Sequence, residues 1–120
     1  MTTGIVVFAH GSRIEAANET VRTIASELAR AGPFPHVQAA FLELGRPDLP
    51  AAVDLLLKEG VTRIVVIPYF LTLGIHLERD LPALIAAITR DHNGLEIAAT
   101  PPLDGHPALL QILVDRARMM

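Results

Sequence analysis

Short apolar runs and stretches of helical period alternate along the whole chain, and that alternation leaves few folds open. Residues 5–9 (IVVFA) form a continuous apolar run too short for a helix, as a strand buried on both faces requires. Ala17, Val21, Ile24 and Leu28 then recur at helical spacing until Gly32 and Pro33 stop them. The pattern repeats. Residues 37–42 read as a second strand. Asp48 is placed to cap a helix with Pro50 in its first turn and Val53, Leu56 and Leu57 as its inner stripe, and Gly60 ends it. Residues 63–68 (RIVVIP) are the strongest strand. Residues 69–77 read as a loop, after which Asp80 caps a helix with Pro82 in its first turn and Leu81, Leu84, Ile85 and Ile88 inward. Asn93 and Gly94 close that helix. Residues 95–99 form a fourth strand, and Pro107 opens a last helix carrying Leu110, Leu113, Val114 and Ala117.

This order predicts an α/β fold in a single domain, residues 1–120. It is a doubly wound, parallel four-stranded sheet with helices on both faces, flavodoxin-like in its strand order 2-1-3-4. Ligands of such sheets bind beyond the carboxyl ends of the strands, where the order reverses between strands 1 and 3. Composition narrows the partners. Hydrophobic residues make up 51% of 120 residues, high for a small domain with much surface. Strands covered on both faces absorb much of the excess; the rest points to an apolar contact between two copies, a homodimer. With no cysteine, thiolate metal sites and a cysteine nucleophile are excluded. The ten basic residues are scattered and the net charge is −3, so a nucleic-acid footprint is absent. The opening residues have no basic region and too short an apolar run for a signal peptide or membrane span, so the expected location is cytoplasmic.

The carboxyl edge gathers the residues with chemistry. Strand 1 runs into His10, Gly11, Ser12 and Arg13; strand 2 runs into Phe41, Leu42 and Glu43; strand 3 leads to a loop holding Gly74 and His76; strand 4 leads toward Asp104 and His106. His36 and His92 fall at the opposite edge and read as solvated loop residues. Two imidazoles and a carboxylate suit a divalent first-row metal. Each also has a plainer role: His10 bonding a loop backbone, His76 on a surface loop, Glu43 solvated beside a helix start. His106, just before Pro107, suits a helix cap. Ser12 and Arg13, with nearby backbone N–H groups, can hold a carboxylate or simply cap and solvate a helix end. The 69–75 segment, Phe70 and Leu71 included, is unusually apolar. It serves as packing, as a wall for a flat ligand, or as a subunit contact. No Walker loop, G-x-G-x-x-G or G-x-S-x-G motif is present. Phosphatases that form a phosphohistidine have Arg just before the His, where this chain has Ala9.

Four short motifs stand together in order: HGSR (10–13), FLE (41–43) followed by Pro47, P-x-F-L (68–71) and G-x-H-x-x-x-D-x-P (74–82). In these the chain resembles the small sirohydrochlorin cobaltochelatases, the class that includes siroheme ferrochelatase and the archaeal nickel enzyme. The resemblance covers roughly the first 80 residues and implies a chelatase fold. It also implies ATP-independent insertion of a divalent metal, Co2+ first and Fe2+ or Ni2+ as alternatives, into sirohydrochlorin in cobalamin or siroheme biosynthesis. His10 and His76 would bind the incoming metal and act catalytically, with Glu43 alongside. Ser12, Arg13, Phe70, Leu71 and Gly74 would meet the tetrapyrrole. No tightly bound cofactor is implied, and a chain of one unit would pair with itself. Nickel-type members often carry a histidine-rich stretch before the second metal-binding His; residues 71–75 have none. The alternative reading is a non-catalytic module of the same fold that binds metal or tetrapyrrole.

Overall fold

The structure, a computed structural model, describes residues 2–120. Eight elements follow one another: β1 Thr3–Ala9, α1 Glu15–Ala31, β2 Val37–Phe41, α2 Leu49–Lys58, β3 Arg63–Pro68, α3 Ile75–Arg90, β4 Glu96–Ala99 and α4 Pro107–Ala117. The four strands form one parallel sheet in the order β2-β1-β3-β4. The expected strand order and the reversal between β1 and β3 are therefore present. The path explains the faces. Going from β1 to β2 moves one way across the sheet, and going from β2 to β3 and on to β4 moves the other way. Right-handed crossovers then place α1 on one face and α2 with α3 on the opposite face.

The core divides accordingly. Val6, Phe8, Ile64 and Val66 meet Leu56 of α2 and Leu81 of α3 on one face. Val7, Ala9, Ala39 and Phe41 meet Val21 and Ala25 of α1 on the other. β1 is buried along nearly its whole length, as a central parallel strand must be. α2 begins as expected, with the Asp48 carboxylate accepting the Ala51 N–H at 3.0 Å and Pro50 in the first turn.

Three helices depart from the pattern read in the sequence. In α1 the buried stripe is Asn18, Val21 and Ala25, while Ala17 and Ile24 are exposed. The stripe is rotated by about one residue because a polar side chain, Asn18, takes an inward position. α3 starts at Ile75, not at Asp80, so Pro82 lies inside it. Leu77 and Leu81, four residues apart, both reach the core, and burying that pair holds the extra turn despite the N–H that Pro82 lacks. Asp80 caps nothing; its carboxylate accepts from Arg79. α4 buries no residue: of its expected inner stripe Leu110, Leu113 and Ala117 are exposed and Val114 is half-buried. No helix among the described residues is long and apolar enough to cross a membrane.

Candidate metal-binding edge

In the parallel register Ala9 lies level with Phe41. The ladder continues past both strand ends, with the Leu42 N–H donating to the Ala9 carbonyl at 2.9 Å and the Glu43 N–H to the His10 carbonyl at 3.0 Å. These bonds bring the side chains of His10 and Glu43 face to face, Nε2 to Oε1 at 3.5 Å, both more than half exposed. The His10 Nδ1 stands 3.2 Å from the Gly11 carbonyl oxygen. A proton on Nδ1 donated to that oxygen leaves a lone pair on Nε2 pointing toward the carboxylate. Two electron-rich atoms so placed call for a cation between them. A proton serves, and so does a divalent metal: two bonds of about 2.1 Å spanning that gap would subtend roughly 110°, near the tetrahedral angle.

Gly11 makes the crossing possible. Its φ is +97°, and a Cβ there would lie 1.6 Å from the Glu43 carbonyl oxygen. No other residue fits that position without moving one of the two loops.

Sequence reasoning passed over the residue that organises this edge. Asn18 on α1 is 1% exposed. Its Oδ1 accepts the Ser12 N–H at 2.9 Å, and its Nδ2 donates to the carbonyls of Ser12 and Leu44, each at 2.9 Å. One amide thus ties the loop after β1 to the loop after β2. The signal was available: an Asn at an inward helical position needs partners for all its polar atoms. Arg22, one turn further along α1, donates to the Arg46 carbonyl and to the carboxylates of Glu15 and Glu19, with its guanidinium 5.2 Å from the Phe41 ring centroid. The Arg22 hydrogen bond, helped by Asn18, holds the Glu15 carboxyl below the usual carboxylate range, and the two carboxylates raise Arg22 in turn.

The remaining sequence-derived residues divide clearly. Ser12 is occupied internally: its N–H goes to Asn18 and its Oγ accepts the Ile14 N–H at 3.0 Å. It does not cap α1 directly, since Ile14 holds that position. Its backbone N–H is therefore not free for a substrate carboxylate. Arg13 is exposed. Phe70 is half-buried, its ring 6.2 Å from that of Phe8, while Leu71 is 65% exposed. Gly74 is the N-cap of α3, with open space where a Cβ would stand. His76 is exposed in the first turn of α3, at the same carboxyl edge as His10 and Glu43 but on a helix and not on a loop. Among the described residues no group of three His, Asp or Glu side chains stands close enough to hold a metal, so His76 does not complete a three-ligand set with the His10–Glu43 pair in this conformation. His106 caps α4, its Nδ1 accepting the Ala108 N–H at 3.0 Å. At the opposite edge His36 and His92 are half-buried and paired with Glu59 and Asp54 rather than free in solvent.

Comparison with known proteins identifies the family. The CbiX family model matches residues 4–120. The chain belongs to the CbiX family. It is 33% identical over 113 residues to the chloroplastic sirohydrochlorin ferrochelatase of Arabidopsis thaliana, covering 94% of this chain and 50% of that protein. The chain thus spans half the length of that relative. It is 30% identical over 134 residues to the sirohydrochlorin cobaltochelatase of Methanopyrus kandleri, covering 95% and 94%. The crystal structure of a CbiX protein from Marinobacter aquaeolei VT8 superposes with a TM-score of 0.84 at 29% identity, over 97% of this chain and 94% of that one. The sirohydrochlorin chelatase SirB from Bacillus subtilis subspecies spizizenii, in complex with cobalt, gives 0.89 at 24% identity over 98% of this chain and 50% of that one, a likeness of fold.

Proposed function

We propose that this chain is a sirohydrochlorin chelatase, a lyase at work in the cytoplasm, which inserts a divalent metal without ATP. Cobalt leads because the Methanopyrus relative is named a cobaltochelatase; iron follows from the Arabidopsis one. The observation that carries the reading is the His10–Glu43 pair, imidazole facing carboxylate at 3.5 Å beyond the carboxyl ends of β1 and β2, in a chain of the CbiX family.

Insertion exchanges two pyrrole protons for one metal ion. The metal leaves its protein ligands and forms bonds to the four macrocycle nitrogens, and two N–H bonds break. A partly open site of neutral imidazole and carboxylate suits this, because a closed set of protein ligands would hold the metal too firmly to release it. The same groups can accept the pyrrole protons once the metal has moved. His10 and His76 are assigned to metal binding and catalysis, and Glu43 to metal binding beside His10. Because His76 stands apart, its contact with metal or macrocycle forms on binding or across a pair of chains. Arg13 is free to meet a substrate carboxylate. Ser12 contributes through its hydroxyl, while Phe70, Leu71 and Gly74 form the apolar floor. A macrocycle extends well past one such edge, and the chain is proposed to work as a homodimer.

The test is turnover. Sirohydrochlorin is mixed with Co2+, Fe2+ or Ni2+ and substoichiometric protein, and the absorbance of the metallated product is followed. Many turnovers per chain with cobalt are expected. Stoichiometric binding without turnover would favour the non-catalytic module.

A further inference from the structure

Glu43 sits on a loop that closes on itself. The Phe41 N–H donates to the Pro47 carbonyl at 2.9 Å, so residues 42–46 leave β2 and return beside its end. Open space lies on both sides of this loop. One cavity, of about 740 Å3, has Leu42, Glu43, Arg46 and Ala51 in its lining; the other, of about 600 Å3, has Glu15, Arg22, Leu44 and Arg46. Side-chain packing therefore does little to hold the loop. Leu44, the residue after Glu43, has φ +57°, a left-handed conformation that leucine avoids, and it is 50% exposed. Such a conformation persists only where its surroundings over-determine it.

Three tethers do so. Ahead of Leu44, the Glu43 N–H donates to the His10 carbonyl at 3.0 Å. The Leu44 carbonyl itself accepts from the Asn18 Nδ2 at 2.9 Å. Two residues on, the Arg46 carbonyl accepts from two nitrogens of Arg22, Nη2 at 2.9 Å and Nε at 3.3 Å. The third nitrogen, Nη1, donates to the carboxylates of Glu15 and Glu19, and the guanidinium stands 5.2 Å from the Phe41 ring centroid. All three nitrogens are engaged, so the planar fork is fixed on α1 before it reaches the loop.

We propose that Arg22 is a positioning residue: by gripping the Arg46 carbonyl it keeps Leu44 left-handed, and so aims the Glu43 carboxylate at His10. This rests on the function proposed above only in taking Glu43 as a metal ligand. Without the grip, Leu44 relaxes to an ordinary φ. That change turns the peptide joining Leu44 to Glu43, and the Glu43 carboxylate, on a flexible side chain, leaves its 3.5 Å approach to the His10 Nε2. Asn18 fixes the Leu44 carbonyl but not the chain beyond it, so it cannot replace Arg22.

Titration of the purified chain with Co2+, followed by the visible absorbance of the bound ion, tests this without a tetrapyrrole. Arg22→Ala is expected to weaken Co2+ binding roughly tenfold, the low end for a group that supports a metal ligand. The double-mutant cycle with Glu43→Gln shows how the effect travels. An effect carried by Glu43 disappears once Glu43→Gln is in place. A general loosening of the fold weakens binding equally in both backgrounds, and that result would overturn the proposal. Arg22→Lys keeps the charge toward Glu15 and Glu19 but has no fork for the Arg46 carbonyl, so it is expected to behave like Arg22→Ala. Leu44→Asn is the rescue, because asparagine takes the left-handed region more readily than leucine. Added to Arg22→Ala, it is expected to recover much of the lost affinity; no recovery, or a wild type whose Co2+ binding is absent or indifferent to Glu43→Gln, would also overturn the proposal. Turnover of sirohydrochlorin is measured separately. A chain that shows the coupling without turnover loses the chelatase reading and keeps the positioning one.

Discussion

The carboxyl edge is built in two ways. Beyond β1 and β2 the backbone is tied down: ladder bonds run on to Glu43, Asn18 bridges the two loops from beneath, and Arg22 holds the Arg46 carbonyl. Beyond β3 and β4 the edge is apolar and open to solvent, with Leu71 and Ile75 exposed and α4 burying no residue. A ligand pair must be held to fractions of an ångström, so it belongs on the tied half. A large flat ligand or a second chain needs exposed apolar surface, and the open half provides it.

The two halves should respond oppositely to the same kind of change. Gly11→Ala carries the largest expected effect. Left-handed strain costs about 1–3 kcal/mol, and the overlap with the Glu43 carbonyl adds to it. Chemical denaturation should show that loss, and metal titration should show weakened binding. Gly74→Ala, with φ −70° and open space at its Cβ, should cost under about 1 kcal/mol; similar losses at both glycines would erase the contrast.

Asn18→Ala comes next. It strands the buried partners of one amide, a loss of about 1–3 kcal/mol, and should lower kcat by loosening His10 against Glu43. An unchanged rate in a folded variant would free the pair from Asn18. On the open half, Leu71→Asp should leave stability within about 0.5 kcal/mol and raise KM for the tetrapyrrole several-fold, read from initial rates. The smallest effect is electrostatic. Glu15 has a lowered folded-state pKa, so its contribution is present above the unfolded value and fades as pH falls through the folded one. Denaturation midpoints across the acid range should lose a slight slope in Glu15→Gln, slight because the group is exposed.

The same division governs what could be read from sequence. The strands, their order and the carboxyl edge were legible because continuous apolar runs and period switching are strong signals. The start of α3 was misread because Pro82 usually marks a first turn, whereas the Leu77–Leu81 pair decided the matter. Asn18 was overlooked because burial of a polar side chain depends on acceptors 6 and 26 residues away. The unpacked α4 could not be foreseen, since its apolar stripe reads alike whether or not a strand lies beneath it. His10 and Glu43 meet as their strand ends implied, while the separation of His76 depends on where α3 begins.

The central claim is that metal reaches sirohydrochlorin through the His10 edge. Multiple-turnover insertion of Co2+ into sirohydrochlorin by wild type, His10→Ala and the double variant His10→Ala with His76→Ala tests it most directly. These side chains are exposed, so denaturation midpoints should hardly move. Turnover is expected to fall at least about 100-fold in His10→Ala, equivalent to roughly 2.7 kcal/mol of transition-state stabilisation, and to vanish in the double variant. Full turnover in a folded double variant would show that the metal enters by another route.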